Sequence, residues 1–309
     1  MSESGGGFRD PRILLPFLLI TLIWGSTWIV IKDQLGAVPP VWSVSYRFLI
    51  AGAAMMAIAR ATGAGLGIGR SGHGLAALLG VLQFVLNYNL VYLAELYITS
   101  GLAAVVFALL VVPNAALARA FFGQRVSAGF AAGSAVAMAG VALLFVQEVR
   151  LSAVPTGAIL AGLGFTLLAV LAASVSNVMQ LSTAMKARAI APMLGWAMLY
   201  GASIDAIIAW AVAGPPVVET RLGYWLGLLY LGVVASALAF WLYYGIIRRI
   251  GPAKAAYSGV LIPVIAMAIS TAAEGYRWSI LALAGGALAV AGLIIALGAG
   301  RPAPVPPSD

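Results

Sequence analysis

Few residues of this chain have types and spacings that could do chemistry, and those few suit binding more than bond-making. Cysteine is absent and histidine occurs once, at His73. Thiol nucleophiles, disulfides and Cys-based metal sites are therefore excluded. His73 falls in a segment that reads as a loop, so neither a His-based metal site nor a histidine proton relay is expected. No GxxxxGK[ST] run occurs, and Lys32, Lys186 and Lys254 lack a glycine-rich approach. ATP hydrolysis is not expected. Two charged residues fall inside apolar runs, Arg47 and Asp205. Asp205 reads as the one carboxylate well inside such a run, with no base or nucleophile clustered near it. The chain is not read as an enzyme, and no metal or cofactor is expected.

The binding chemistry lies in polar and aromatic residues at helical spacing. Gln83 and Asn87 are four apart and share a face, Ser174 and Asn177 are three apart, and Ser236, Phe240 and Tyr243 form one stripe. Thr21, Trp24 and Trp28 form another. A few hydrogen-bonding groups within aromatic walls suit a small amphipathic solute. The competing reading is plain packing, because Ser and Thr in membrane helices often bond only a neighbouring helix. The larger amides of Gln83, Asn87 and Asn177 cost more to bury unsatisfied. Trp24 is deep in its run and reads as a pocket wall, whereas Trp28, nearer the end, reads as an interfacial anchor. Arg47 either meets a substrate carboxylate or snorkels to the interface. Asp205 either carries a coupling proton or is a structural partner for Arg47.

These residues sit in apolar runs long enough to be membrane spans. The 309 residues are 63% hydrophobic and 8% charged, with mean hydropathy +1.05, where soluble domains carry about 25% charge. The fold class is an all-α membrane protein. Ten transmembrane helices are expected, near 14–31, 41–59, 75–93, 100–118, 128–146, 157–180, 191–213, 222–247, 253–273 and 278–297. The net charge of +8 sits in the connecting loops and sets orientation; no nucleic-acid partner is expected. With the N-terminus inside, twelve bases fall on the inner side, namely Arg9, Arg12, Arg60, Arg70, Arg119, Arg125, Lys186, Arg188, Arg248, Arg249, Lys254 and Arg301. Only Lys32, Arg150, Arg221 and Arg277 fall outside. This bias places both termini in the cytoplasm. Residues 1–12 and 301–309 read as disordered tails.

The chain also repeats itself. Ser100–Ala142 and Ile250–Leu293 share a small-residue start, a mid-span proline, a polar turn and a second span closing on Ala-Gly. Pro113 aligns with Pro263, Gln124 with Glu274, and Phe107 with Tyr257. Two halves of five helices each must enter the membrane in opposite senses, the inverted-repeat pattern of carriers that alternate access around a central site. The paired prolines read as hinges of two gates or as fixed kinks. Asn114 beside Pro113, Phe107 and Tyr257 read as pocket walls. Gly129 with Gly133, and Gly285, Gly286 and Gly292, read as helix-packing faces, internal or dimeric.

On LLITLIWGSTWIVIK (Leu18–Lys32), PPVWSVSYRFLIAG (Pro39–Gly52), ITSGLAAVVFALLVVPNAALARAFFGQRVS (Ile98–Ser127), RRIGPAKAAYSGVLIPVIAMAISTAAEGYRWS (Arg248–Ser279) and GGALAVAG (Gly285–Gly292), the chain resembles the EamA-type members of the drug/metabolite transporter superfamily. No single motif is specific, but their order and spacing cover nearly the whole chain. The resemblance implies two EamA-type repeats, 13–147 and 148–300, in a ten-helix exporter of the bacterial inner membrane. It implies small metabolites such as amino acids as substrates; drugs, purines or quaternary amines are the alternative, and apart from the resemblance an intramembrane enzyme or a scaffold is the less favoured reading. Protons are an open coupling partner, and a monomer or weak homodimer is expected. The family pattern of Gly-Glu after the fourth helix is here Gly123-Gln124, while the second copy keeps Ala273-Glu274. A gate that depends on a turn carboxylate would therefore be the external one, at Glu274.

Overall fold

A computed structural model describes residues 10–36, 38–123, 126–151, 154–250 and 258–298. Among them there is no strand. The principal helices are α1 (Pro11–Gln34) and α2 (Pro40–Ala61); α3 (Gly69–Ala94) and α4 (Ser100–Phe122); α5 (Ala128–Leu151), α6 (Thr156–Met179) and α7 (Ile190–Ala213); α8 (Leu222–Ile246); and α9 (Ser258–Ala273) and α10 (Ile280–Gly298). Eight of these carry stretches long and apolar enough to cross a membrane, while the apolar cores of the last two, Leu261–Ala273 and Ile280–Ala296, are shorter. Helices close their backbone hydrogen bonds internally, which an oily solvent demands. Their outer faces match that solvent: Ile207, Val212 and Leu222 are each 70% exposed.

Two sequence readings shift at the ends of helices. α1 begins at Pro11, with the Asp10 carboxylate accepting from Arg12 N at 2.9 Å and proline in the first turn. Residues 11 and 12 thus leave the expected tail, because the Asp-Pro pair is a helix start signal. His73 is not in a loop. It lies in the first turns of α3, with Nδ1 2.8 Å from Tyr200 Oη and its ring 4.9 Å from that of Trp196. Packing against α7 overrides the Gly-Arg-Ser-Gly composition around it. Gln124, the rest of both tails and Tyr257 lie outside the described residues.

The packing has an internal two-fold pattern. α1 packs on α8 and α9, and α6 packs on α3 and α4; α2 packs on α8, and α7 on α3. The pairs α2–α7, α4–α9 and α5–α10 complete the set. Exchanging each helix with the one five later maps this set onto itself. Local geometry repeats as well. α3 widens into a π turn at Gly80–Leu86 and α8 at Tyr230–Leu238, starting 150 residues apart. The α5–α10 seam is closed by glycines: a Cβ on Gly133, Gly140, Gly285 or Gly292 would strike backbone of the facing helix. This seam is internal. Gly286, by contrast, would meet only the Trp278 ring edge, at 3.9 Å.

The two mid-helix prolines are not equivalent. α4 tightens to a 3-10 turn at Ala108–Leu110, just before Pro113, whereas α9 carries Pro263 inside a continuous helix. Proline at 113 cannot donate to the carbonyl of Leu109, and the chain relieves the loss by tightening that turn. Arg221 Nη1 bonds Asp33 Oδ1 at 2.8 Å and joins the end of α1 to the start of α8. The Asp33 hydrogen bond and charge raise the Arg221 pKa further. Both side chains are about half exposed, so the pair contributes little to stability.

Candidate functional site

The helices form a cavity of about 170 Å³ lined from α1, α3, α4, α6, α8, α9 and α10. Nine of the residues that sequence marked as binding or hinge candidates line it: Trp24, Gln83, Asn87, Phe107, Asn114, Asn177, Phe240, Tyr243 and Pro263. The spacing of α1 explains Trp24. Its indole N–H donates to Ala235 O at 3.1 Å, inside the wide turn of α8, and its ring packs edge-on at 5.6 Å from Phe240 and 5.0 Å from Tyr243. Trp28, one turn on, is no interfacial anchor. It is 8% exposed, lines the same cavity and packs on Phe107 at 5.5 Å. Depth along the helix was a poor guide here, because the cavity runs far along α1, from Trp24 to Ile31.

The polar part of the wall is made of amides. Asn87 Nδ2 donates to the Gln83 carbonyl at 3.3 Å, in the wide turn of α3. Asn87 Oδ1, Gln83 Oε1 and Asn114 Oδ1 are buried without a hydrogen-bond partner. Such groups cost about 1–3 kcal/mol each when left unmade, so this wall favours a guest carrying hydrogen-bonding groups. No lining residue among those described is Asp, Glu, Lys or Arg. The wall is otherwise aromatic and aliphatic, which suits a compact amphipathic molecule.

The remaining candidates sit elsewhere. Ser174 and Ser236 are fully buried and do not line the cavity. Ser236 Oγ accepts from Arg47 Nε at 3.0 Å. Arg47 does not snorkel: it is 0% exposed. Its guanidinium lies 4.4 Å from the centroid of the Tyr88 ring, whose residue also lines the cavity, a cation–π contact that desolvation strengthens. Its Nη1 and Nη2 have no hydrogen-bond partner. Asp205 does not pair with Arg47. Its Oδ1 accepts from Asn89 Nδ2 at 2.7 Å, between α3 and α7, and its Oδ2 is unpartnered. Pro113 is off the cavity wall. Glu274 is bonded to Ser100 and Ser270 at the start of α4 and the end of α9.

Sequence reasoning missed Glu95. It falls beyond the expected third span, yet it is 0% exposed with both carboxylate oxygens unpartnered. The signal was present in the spacing: Tyr88, Tyr92 and Glu95 are four and three apart and continue one face of α3. Lys32 was read only as an outer loop charge. Its amine donates to the carbonyls of Glu95 and Ile98.

Apolar helices packed with two-fold exchange around an uncharged cavity define the class: a helical membrane transporter fold. The chain matches the EamA-like transporter family over residues 12–146 and 160–298 and belongs to that family. It is 30% identical over 302 residues to the uncharacterized inner membrane transporter YedA of Escherichia coli, covering 93% of this chain and 92% of YedA. It is 23% identical over 271 residues to protein PagO of Salmonella typhimurium, covering 88% of each chain. A crystal structure superposes with a TM-score of 0.67 at 21% identity over 92% of this chain and 96% of that one, which speaks for the fold.

Proposed function

We propose that this protein is a ten-crossing secondary carrier of the bacterial inner membrane that moves small amphipathic metabolites, amino acids first among them. Both termini are cytoplasmic, and the five-helix halves 13–147 and 148–300 are inverted. The carrier alternates access around the cavity. The observation that carries this reading is the cavity itself, an uncharged space of aromatics and unpartnered amides bounded by helices from both halves. The exchange symmetry of the helix pairs supports two equivalent gates. The absence of charge from the described wall favours a second reading, an amine or quaternary ammonium guest held on aromatic faces.

Three probes of one shape separate the readings: L-phenylalanine, phenethylamine and 3-phenylpropionate. A guest that binds the folded state raises its melting temperature. Phenylalanine is expected to stabilise the purified protein most and to cross proteoliposome membranes faster with the protein than without it. Stabilisation by phenethylamine alone would move the assignment to amines. Reconstituted protein that binds and accelerates none of the three, nor nucleobases or other amino acids, would remove the carrier reading.

A further inference from the structure

Polar contacts join four helices just beyond one end of the cavity lining. Glu274 accepts from Ser100 N at 3.3 Å, from Ser100 Oγ, and from Ser270 Oγ at 2.5 Å. Lys32, near the end of α1, donates to the carbonyls of Glu95 and Ile98. Cavity-lining Ile31, Val91 and Ala104 lie within one turn or so of these groups in sequence. Among these contacts sits the Glu95 carboxyl, fully buried and hydrogen-bonded by nothing.

The charged and titratable groups around Glu95 are Lys32 of α1, Arg47 of α2, Tyr92 of α3 and Glu274 beyond α9. Tyr224 of α8 interacts with Tyr92, and Asp205 of α7 is held by Asn89. α6 and the first two turns of α4 contribute no titratable side chain. The Lys32 amine is engaged by backbone carbonyls, and Arg47 is stacked on Tyr88 and bonded to Ser236. Lys32 and Arg47 favour the ionised form of Glu95, but loss of hydration disfavours a buried carboxylate that accepts no hydrogen bond, and Glu274 adds a like charge. A neutral carboxyl suits this closed arrangement. An ionised one suits an open end, where water reaches it.

We propose that Glu95 is the coupling-ion site of this carrier: a proton taken up at the external end neutralises Glu95 and allows that end to close, and Glu274 bonded to Ser100 and Ser270 is the latch. The proton comes from external water, resides on a Glu95 carboxylate oxygen, and returns to water when the site is hydrated. The assignment rests on the carrier reading, including the external position of this end. It moves the coupling role from Asp205, which is held by Asn89 away from the latch, to Glu95, whose carboxyl interacts electrostatically with Glu274 and whose backbone carbonyl accepts from Lys32.

The test needs no solute. The chain has no cysteine, so Leu96→Cys and Arg277→Cys, two exposed positions on the facing turns, take unique spin labels. Distances between them are measured in lipid nanodiscs from pH 5 to pH 9. The short-distance population should dominate at low pH, and the closed-to-open ratio should fall by up to about tenfold per pH unit as one proton leaves. Glu95→Gln should stay closed throughout. Glu274→Ala should favour the long distance at every pH. Asp205→Asn should follow the parent profile. A pH-independent distance in the labelled parent, or an unchanged profile in Glu95→Gln, overturns the proposal; so does loss of the profile in Asp205→Asn. Should Glu95→Gln not purify as a single species, the parent titration and Glu274→Ala still decide. A pH-insensitive gate would leave the carrier reading standing, since that reading falls only with the flux assay.

Discussion

Gly292→Val is expected to leave little or no monodisperse protein in mild detergent. A Cβ at position 292 would lie 2.6 Å from Gly133 O and 2.7 Å from Ala137 Cα, besides striking Ala137 N. These are backbone atoms, so no rotamer change relieves the clash. The two helices must separate along a seam that also holds Gly133, Gly140 and Gly285. Overpacking typically costs about 1–3 kcal/mol, and a clash with rigid backbone falls at the upper end of that range. In a membrane no hydrophobic drive pushes the separated helices back together, because lipid covers the exposed faces equally well; their association rests on the close packing that the added side chain removes. Fluorescence-detected size exclusion and a melting curve measure it. Gly286→Val, six residues away on the same helix with open space beside it, is the control and should elute and melt like the parent. Equal behaviour of the two variants would refute the seam as a principal contact of the fold.

The second large effect is expected at Trp24. Trp24→Ala removes edge-on contacts to Phe240 and Tyr243 and leaves the Ala235 carbonyl without its indole donor. Truncating a large aromatic in a packed site costs about 3–5 kcal/mol, and a part-exposed one falls near the lower end. Trp24→Ala should therefore melt well below the parent and, under the carrier reading, lose most of its solute flux. Trp24→Phe separates the two roles. It keeps the ring packing and loses only the N–H, so it should restore most of the stability. If it also restores flux, the indole serves as a wall. If flux stays low in a stable Trp24→Phe protein, the hydrogen bond to α8 positions the helix that moves.

Much of the candidate site could be read before any fold was known, and the reason is solvent. In a chain this apolar, each buried amide or tryptophan stands out against a background that carries almost no polar atoms. Gln83, Asn87, Asn114 and Asn177 were visible on that ground, and all four line the cavity. The same contrast failed where burial depends on a neighbour. Glu95 looked like a loop residue because it follows the last turn of α3, yet Lys32 and the 95–100 turn fold over it. Arg47 and Asp205 looked like natural partners because each was the lone charge of its sign within a span. Their true contacts, Tyr88 and Ser236 for one and Asn89 for the other, depend on which helices meet.

Composition and spacing alone determined that this chain is a bundle of apolar helices with a repeated plan, because the hydrocarbon solvent imposes one rule on every outward-facing residue. They also marked Gly133, Gly285 and Gly292 as packing positions, since only small residues let two backbones approach, but not that α5 and α10 are each other's partners or that Gly286 stands outside the seam. The tertiary structure alone decided which polar groups face one another. Hydrogen-bond partners 63 and 211 positions apart in the chain, Lys32 with Glu95 and Trp24 with Ala235, carry no local signature. Neither do the π turns at Gly80–Leu86 and Tyr230–Leu238.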